Sequence, residues 1–341
     1  EGGFTNTPYL YGLVNTKPDV FYDGFQRTVR AKDLATVTQS INATADRRAE
    51  RAVYAHAPGL SGAWTPIVTY DLPARTKLYV DPVPASWDTE VSEIMPSTDP
   101  ADPFPITVTR LTSPEHKYRA GKSYQERYNA AVFAPTPLYT TRTGNELELG
   151  VFSSTDADGN DGVSAADTQS SKLYRNGQLA GESEWFGDLV VGDLPAAKAS
   201  YKYVTSLDRS SLLKQSGKTD LTFTFTSAGS DKVQLIPLRT VGYRPAVDSL
   251  NTVRRSLVTV LPIHLTAQAG STALPAVKKL ELKVSGDDGK TWKPATVVRT
   301  RSGYLAIFVT PKGGAVSLKA HLVDAAGNTT DQTTIGAYQF R

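Results

Sequence analysis

An all-β protein built of two to three tandem sandwiches is what this 341-residue sequence predicts, and three observations carry that reading. Short runs alternate apolar and polar residues with a period of two, as strands with one wet face do. Asn-Gly and Asp-Gly turns sit between such runs, where residues that tolerate positive φ allow tight hairpins. Long helical periodicity is missing throughout, and the 26 Gly and 21 Pro break the chain at short intervals.

The first section is expected to span 1–135. It opens without a basic segment followed by an apolar one at Glu1-Gly2-Gly3-Phe4-Thr5, as expected of a mature, processed chain or a piece of a longer one. Asp33-Leu34-Ala35-Thr36-Val37 has the form of one helical turn capped by Asp33. Trp64-Thr65-Pro66-Ile67-Val68-Thr69-Tyr70, Lys77-Leu78-Tyr79-Val80 and Ile106-Thr107-Val108-Thr109 read as strands. The stretch from Pro96 to Pro105 has prolines at 96, 100, 103 and 105. Each lacks an N–H and fixes φ, so this stretch is a loop.

A second section, 136–230, contains Leu147, Leu149 and Val151 in alternation, then Tyr201 and Tyr203, then Leu221-Thr222-Phe223-Thr224-Phe225-Thr226, a half-buried strand. Arg175-Asn176-Gly177-Gln178 is an Asn-Gly hairpin turn between Leu173-Tyr174 and Leu179.

The third section, 231–341, starts with Val233 to Leu238 and the apolar run Leu257 to Leu265. Leu280, Leu282 and Val284 then alternate with Lys279, Glu281 and Lys283. The turn Ser285-Gly286-Asp287-Asp288-Gly289-Lys290 sends the chain back through Thr291-Trp292. Leu305 to Val309, the Pro311-Lys312-Gly313-Gly314 turn, Val316 to Leu322 and the turn at Asp324-Ala325-Ala326-Gly327-Asn328 repeat the strand and turn logic.

Composition removes several chemistries. With no cysteine, disulfides, thiolate catalysis, cysteine-based zinc sites and iron–sulfur clusters are all excluded. Lys plus Arg number 37 against 34 Asp plus Glu, a net charge of +3, with the signs intermixed. The densest basic stretch, Arg47-Arg48-Ala49-Glu50-Arg51, is interrupted by acids, so no nucleic-acid partner is indicated. No apolar stretch approaches bilayer-spanning length, so no membrane partner is expected either.

Nucleophilic hydrolysis needs a base beside its serine. His56, His116, His264 and His321 lie in contexts that read as strand or loop positions, and no Gly-x-Ser-x-Gly elbow occurs. No catalytic residue is assigned, and the chain is not expected to be an enzyme. The one cofactor the sequence suggests is Ca²⁺. Asp156, Asp158, Asn160 and Asp167 fall at positions 1, 3, 5 and 12 of an oxygen-rich loop. The pattern departs from that loop at position 6, which is Asp161 with Gly162 one place late, and at position 12, where Asp is shorter than Glu. The plainer reading is an acidic, Gly-rich hairpin loop. Trp64, Trp87 and Trp185, the last beside Glu182 and Glu184, are candidates for a stacking platform for a sugar ligand, against the ordinary role of large aromatics as core.

Several segments in succession carry a resemblance. Leu173-Tyr174-Arg175-Asn176-Gly177, the run from Val284 to Trp292 and the run from Leu318 to Asn328 resemble the long C-terminal extensions of secreted, actinobacterial (Streptomyces-type) subtilisin-like S8 serine peptidases. So do Tyr124 to Pro135 and the terminal Ala337-Tyr338-Gln339-Phe340-Arg341. The Asp-Asp-Gly-Lys-Thr-Trp and Asp-Ala-Ala-Gly-Asn stretches also recur in Ig-like and fibronectin-like modules, which is the fold expected of the last domain. The family's catalytic segments are missing: there is no Asp-Thr-Gly and no Gly-Thr-Ser-Met-Ala, and the single methionine, Met95, stands between Ile94 and Pro96. The resemblance therefore implies a non-catalytic accessory region of an extracellular protease that makes protein contacts with the protease domain or with protein substrate; the chain is expected to be a monomer. The alternative is a carbohydrate or cell-wall binding sandwich module.

Overall fold

The computed structural model describes residues 4–16, 23–82, 85–97, 99–101 and 104–341, apart from the side chains of 60–62. Strands make up 59% of it and helix 1%, the latter a single 3-10 turn at Ala31–Asp33. The protein is all-β, with several sheets. Its residues fall into two compact units, Glu1–Ala130 with Asp158–Asp161, and Ala131–Ala157 with Gly162–Arg341.

In the N-terminal unit one sheet runs in the order Phe4–Thr5, Val68–Asp71, Arg48–Ala57, Ser86–Met95, Ile106–Thr112, and Leu60–Trp64 also pairs with Arg48–Ala57. The other has the order Ser123–Tyr128, Ala35–Ile41, Ala74–Val80, Tyr9–Gly12. In it the central pair is antiparallel and each flanking strand is parallel to its neighbour.

Inward positions follow the period of two, and midway along five strands that inward position is polar. Gln39 lies between Val37 and Ile41, Arg51 between Ala49 and Val53, Thr76 between Ala74 and Leu78, Thr89 between Trp87 and Val91, and Glu126 between Tyr124 and Tyr128. The apolar residues on one side of this layer (Val37, Val53, Leu78, Trp87, Tyr124) form one cluster, and those on the other (Ile41, Ala49, Ala74, Val91, Tyr128) form a second.

Most polar groups of this layer bond one another, as burial demands. Arg51 donates from Nη1 to Gln39 Oε1 at 2.7 Å and lies over the Tyr70 ring, 5.2 Å from its centroid. Gln39 donates from Nε2 to Thr89 Oγ1 and Glu126 Oε2, both at 3.0 Å. Glu126 also accepts from Tyr128 OH at 2.8 Å and from Tyr118 OH. Among the described residues Nε and Nη2 of Arg51 have no hydrogen-bond partner, and burial pushes its pKa down from the usual guanidinium value, with Tyr70, Tyr128 and Glu126 acting in the opposite sense.

The C-terminal unit holds a four-stranded sheet, Asp188–Val191, Glu146–Thr155, Ala134–Gly144, Ser230–Leu235, and a twelve-stranded one. The first packs on Thr168–Arg175, Ala199–Asp208 and Lys218–Ser227 of the second through Leu147, Leu149, Leu173, Tyr201, Tyr203, Leu221 and Phe223. Lys218–Ser227 then pairs with Thr329–Phe340, which carries the same sheet on through Ala315–Asp324 and Val277–Ser285. Lys293–Thr300 changes partner at its middle: Lys293 to Ala295 pair with Val277–Ser285, and Thr296 to Thr300 with Gly303–Val309. A strand that switches sheets makes a sandwich corner. Beyond it Gly303–Val309, Val258–Ala267 and Arg239–Tyr243 complete the sheet. A second fully buried arginine, Arg209, donates to Ser216 O at 2.9 Å and to Ser154 Oγ and Ser164 Oγ at 2.8 and 2.6 Å; burial pulls its pKa down to about 10.

The turn chemistry takes the expected form. Asn176 and Gly177 have φ of 49° and 83°, positive at both central residues as a type I′ hairpin turn requires. Asp288 and Gly289, at 56° and 82°, turn the chain toward Lys293. Ser285 Oγ accepts the N–H of Asp287 and Gly289, and Asp287 accepts from Thr291 N and Oγ1 at 2.9 and 2.6 Å. Asp324 caps its turn by accepting from the N–H of Ala326 and Asn328.

Two local expectations are corrected. Ala35 to Val37 belong to a strand, Ala35–Ile41, and not to a helical turn, because the alternate residues Ala35, Val37, Gln39 and Ile41 are buried and only period two serves them. The expected strand from Trp64 to Tyr70 is two, Leu60–Trp64 and Val68–Asp71, since Pro66 cannot donate to a ladder. The described residues between Pro96 and Pro105 contain no strand after Met95; Thr98, Asp102 and Pro103, like Glu1 to Gly3, lie outside the described residues.

Candidate binding surfaces

The four histidines bear on whether a hydrolytic centre is assembled. His56 Nε2 is bonded to Asp88 Oδ1 on the outer face of the first sheet. Ser86, cross-strand from His56, donates instead to Glu115 Oε1. The imidazole has a carboxylate partner, but the hydroxyl beside it is engaged elsewhere. His116 Nε2 stands 3.8 Å from Glu126 Oε1 and its ring stacks on Tyr118. His321 Nδ1 is 2.8 Å from Asp331 Oδ1 across a strand pair. His264 is largely buried, which pulls its pKa down to about 4 with help from the Arg244 charge. Among the described residues no serine hydroxyl is hydrogen-bonded to a histidine ring nitrogen.

The residues named for calcium are occupied by protein. Asp158 takes Arg127 Nε at 2.5 Å and Nη2 at 3.2 Å. Asn160 donates to Arg127 O at 2.8 Å, and Asp167 accepts from Ser211 N at 3.0 Å and from its hydroxyl. Asp156 is buried. Among the described residues no three His, Asp or Glu side chains gather where they could hold a metal ion.

The three tryptophans have different fates. Trp64, 65% exposed, ends its short strand opposite Tyr54. Trp185, also 65% exposed, stands in the turn before Asp188–Val191 in the other unit. Trp87 is corrected: it is 2% exposed, packs among Val37, Val53 and Leu78, and donates from Nε1 to Asp81 O at 2.7 Å. Its inward position is shared with Thr89 and Val91, so its ring is unavailable to a ligand.

Two surfaces that sequence reasoning did not single out are exposed. On the outer face of the second N-terminal sheet Tyr9, Tyr11 and Tyr79 cluster, with Tyr11 and Tyr79 stacked at 5.0 Å and 22°. The only hint was the alternation Tyr9-Leu10-Tyr11 beside Lys77-Leu78-Tyr79. In the C-terminal unit Val258 pairs with Val309, Val260 with Ile307, and Val298 with Leu305 across three adjacent strands. Val258, Val260, Val298, Ile307 and Val309 are all exposed, as is the preceding Leu257, at 90%. Their partners on the other side of the same strands, Leu261, Ile263, Ala306 and Phe308, form core, so the run Leu257 to Leu265 is apolar on both faces.

Basic residues predominate in the chain segments that form this face, although Asp287 lines a groove together with Val309 and Lys312. No Asp or Glu occurs in 249–280 or in 289–323, while Arg254, Arg255, Arg299, Arg301 and Lys312 do. Arg255 is fixed at its end, donating to Pro311 O and Gly313 O and lying 4.2 Å over the Phe340 ring.

No protein-family model matches the chain, and no curated protein matches it in sequence. Among the described residues no helix is long and apolar enough to cross a membrane.

Proposed function

We propose that this chain is a non-catalytic accessory region of an extracellular subtilisin-like serine protease, working through protein contacts with the protease domain or with protein substrate. The observation that carries the contact role is the exposed Val258, Val260, Val298, Ile307, Val309 face. Soluble monomers rarely leave a contiguous apolar face open, and such faces mark interaction sites. The excess of arginine and lysine around this face, with Asp287 as an acid beside Val309, favours a partner surface that carries acids around an apolar centre. The assignment to a protease rests on the succession of segments from Tyr124 to Arg341 described above.

The test is pull-down of the chain by a subtilisin-like catalytic domain of the resembled type and by insoluble collagen and keratin, beside a Val260→Asp, Val309→Asp double variant. Both substitutions are at exposed positions and leave the core intact. Binding to one of these proteins that the double variant loses supports the reading; binding to none, or binding the variant retains, defeats it.

A second reading, a carbohydrate-binding module, is favoured by a different observation, the exposed tyrosine cluster of the N-terminal unit.

A further inference from the structure

The sheet that carries the three tyrosines presents a regular grid to solvent. Its strands place Tyr11, Tyr79, Thr36 and Ser123 in one row and Tyr9, Lys77, Thr38 and Gln125 in the next. Arg75, Ser40 and Arg127 make a third row. The four strands span about 14 Å at the usual interstrand spacing. Tyr9 and Tyr11 are 52% and 54% exposed, although Leu10 and Leu78 between them serve the core on the other side. A tyrosine ring in water forgoes the burial that makes it a good core residue; one face of Tyr11 is taken by Tyr79, which leaves its other face and the Tyr9 ring, set at 76° to it, for a ligand.

The polar groups of the grid are equally uncommitted. Among the described residues the side chains of Thr36, Thr38, Ser123 and Gln125 make no hydrogen bond, and the phenol groups of Tyr9, Tyr11 and Tyr79 make none either. Lys77 and Arg75 are exposed and pair with no acid among the described residues. No Asp or Glu stands at an outward position of the four strands; Asp158 pairs with Arg127, at the edge of the third row. The face thus combines stacking rings, paired donor and acceptor groups in a flat array, and two cations without counter-charge.

We propose that this face binds an acidic polysaccharide, its uronic-acid sugars lying along the rows. Tyr9 and Tyr11 stack on the C–H faces of the sugar rings, the hydroxyls and the Gln125 amide meet sugar hydroxyls, and Lys77 and Arg75 meet the carboxylates. Few precisely placed polar groups around an aromatic platform are the usual composition of a small-ligand site, and the charge complementarity selects the anionic polymer over a neutral one. The proposal rests on the second reading above and on a surface of the N-terminal unit. Its failure leaves the protein-contact reading of the C-terminal unit untouched, and the reverse is also true.

The experiment is affinity electrophoresis of the full chain in native gels containing polygalacturonate, alginate or hyaluronate. Neutral laminarin and polyglutamate serve as comparison polymers, and Tyr11→Ala, Tyr9→Ala and Lys77→Gln are run alongside. The expected result is retardation by at least one uronate polymer, weakened roughly tenfold in dissociation constant by Tyr11→Ala, equivalent to ~1.4 kcal/mol, and less by Lys77→Gln. Thermal melts establish that each variant is folded, and Tyr9→Ala stands in if Tyr11→Ala is not. Any of four results overturns the proposal: no retardation by the three uronates, equal retardation by laminarin, equal retardation by polyglutamate, or retardation that folded tyrosine variants retain in full.

Discussion

Replacing Glu126 with leucine removes the acceptor on which the polar layer of the N-terminal unit converges. Three donors reach it: Gln39 Nε2 at 3.0 Å, Tyr128 OH at 2.8 Å and Tyr118 OH. Hydrogen bonds to a charged acceptor contribute about 1.5–3 kcal/mol each, but the losses are unequal. Gln39 Nε2 keeps Thr89 Oγ1 at 3.0 Å, whereas the hydroxyl of the buried Tyr118 loses the Glu126 acceptor. Arg51 loses the one carboxylate whose charge supports it. Leucine matches the volume and recovers some apolar contact, the Glu126 side chain being only 12% exposed. The net destabilisation is roughly 2–4 kcal/mol. Urea unfolding followed by tryptophan fluorescence measures it, with Trp64, Trp185 and Trp292 changed to phenylalanine so that core Trp87 is the sole reporter. A Glu126→Leu transition within about 0.5 kcal/mol of its parent refutes the converging network.

The C-terminal unit carries two successive pH windows, in both of which stability falls as the solution is acidified. His264 has a folded pKa of about 4 against about 6.5 unfolded, so between those values the unfolded chain binds more protons and stability falls as pH drops from 6.5 to 4. His264→Gln should flatten thermal melting across that window, and an unchanged slope refutes the assignment. Asp287 is held down at about 2 by the Ser285 and Thr291 hydroxyls. Its contribution is present above pH 4 and lost as pH falls through about 2. The difference in melting temperature between the parent and Asp287→Asn should therefore vanish in that range. Gly187 has φ of 65°, and a Cβ there would stand 2.3 Å from Val151 O. Gly187→Ala is expected to cost more than 1 kcal/mol in chemical denaturation, and a neutral effect contradicts the close approach.

Strands were legible wherever one face is buried and the other wet, as at Leu147 to Val151, Leu221 to Thr226 and Leu280 to Val284, and so were the Asn176-Gly177 and Asp288-Gly289 turns. What period two conceals is which polar residues point inward. Gln39, Arg51, Thr76, Thr89 and Glu126 look like wet-face residues until their strands are set side by side. The run Leu257 to Leu265 looks uniformly buried for the converse reason, since nothing local distinguishes Val258 and Val260, which face solvent, from Leu261 and Ile263, which do not. Size made the tryptophans the natural candidates for a platform, yet Trp87 shares its parity with Thr89 and Val91 and so belongs inside. The tyrosine cluster depends on a parallel pairing between residues 9–12 and 77–80, a long-range register that no local pattern encodes.

The contact role of the exposed valine face is tested most directly by titration calorimetry of the whole chain with a subtilisin-like catalytic domain of the resembled type. Saturable heat that is abolished in the folded Val260→Asp, Val309→Asp variant is the predicted result. Absence of heat together with no retention on collagen or keratin, or undiminished binding by the variant, contradicts the account.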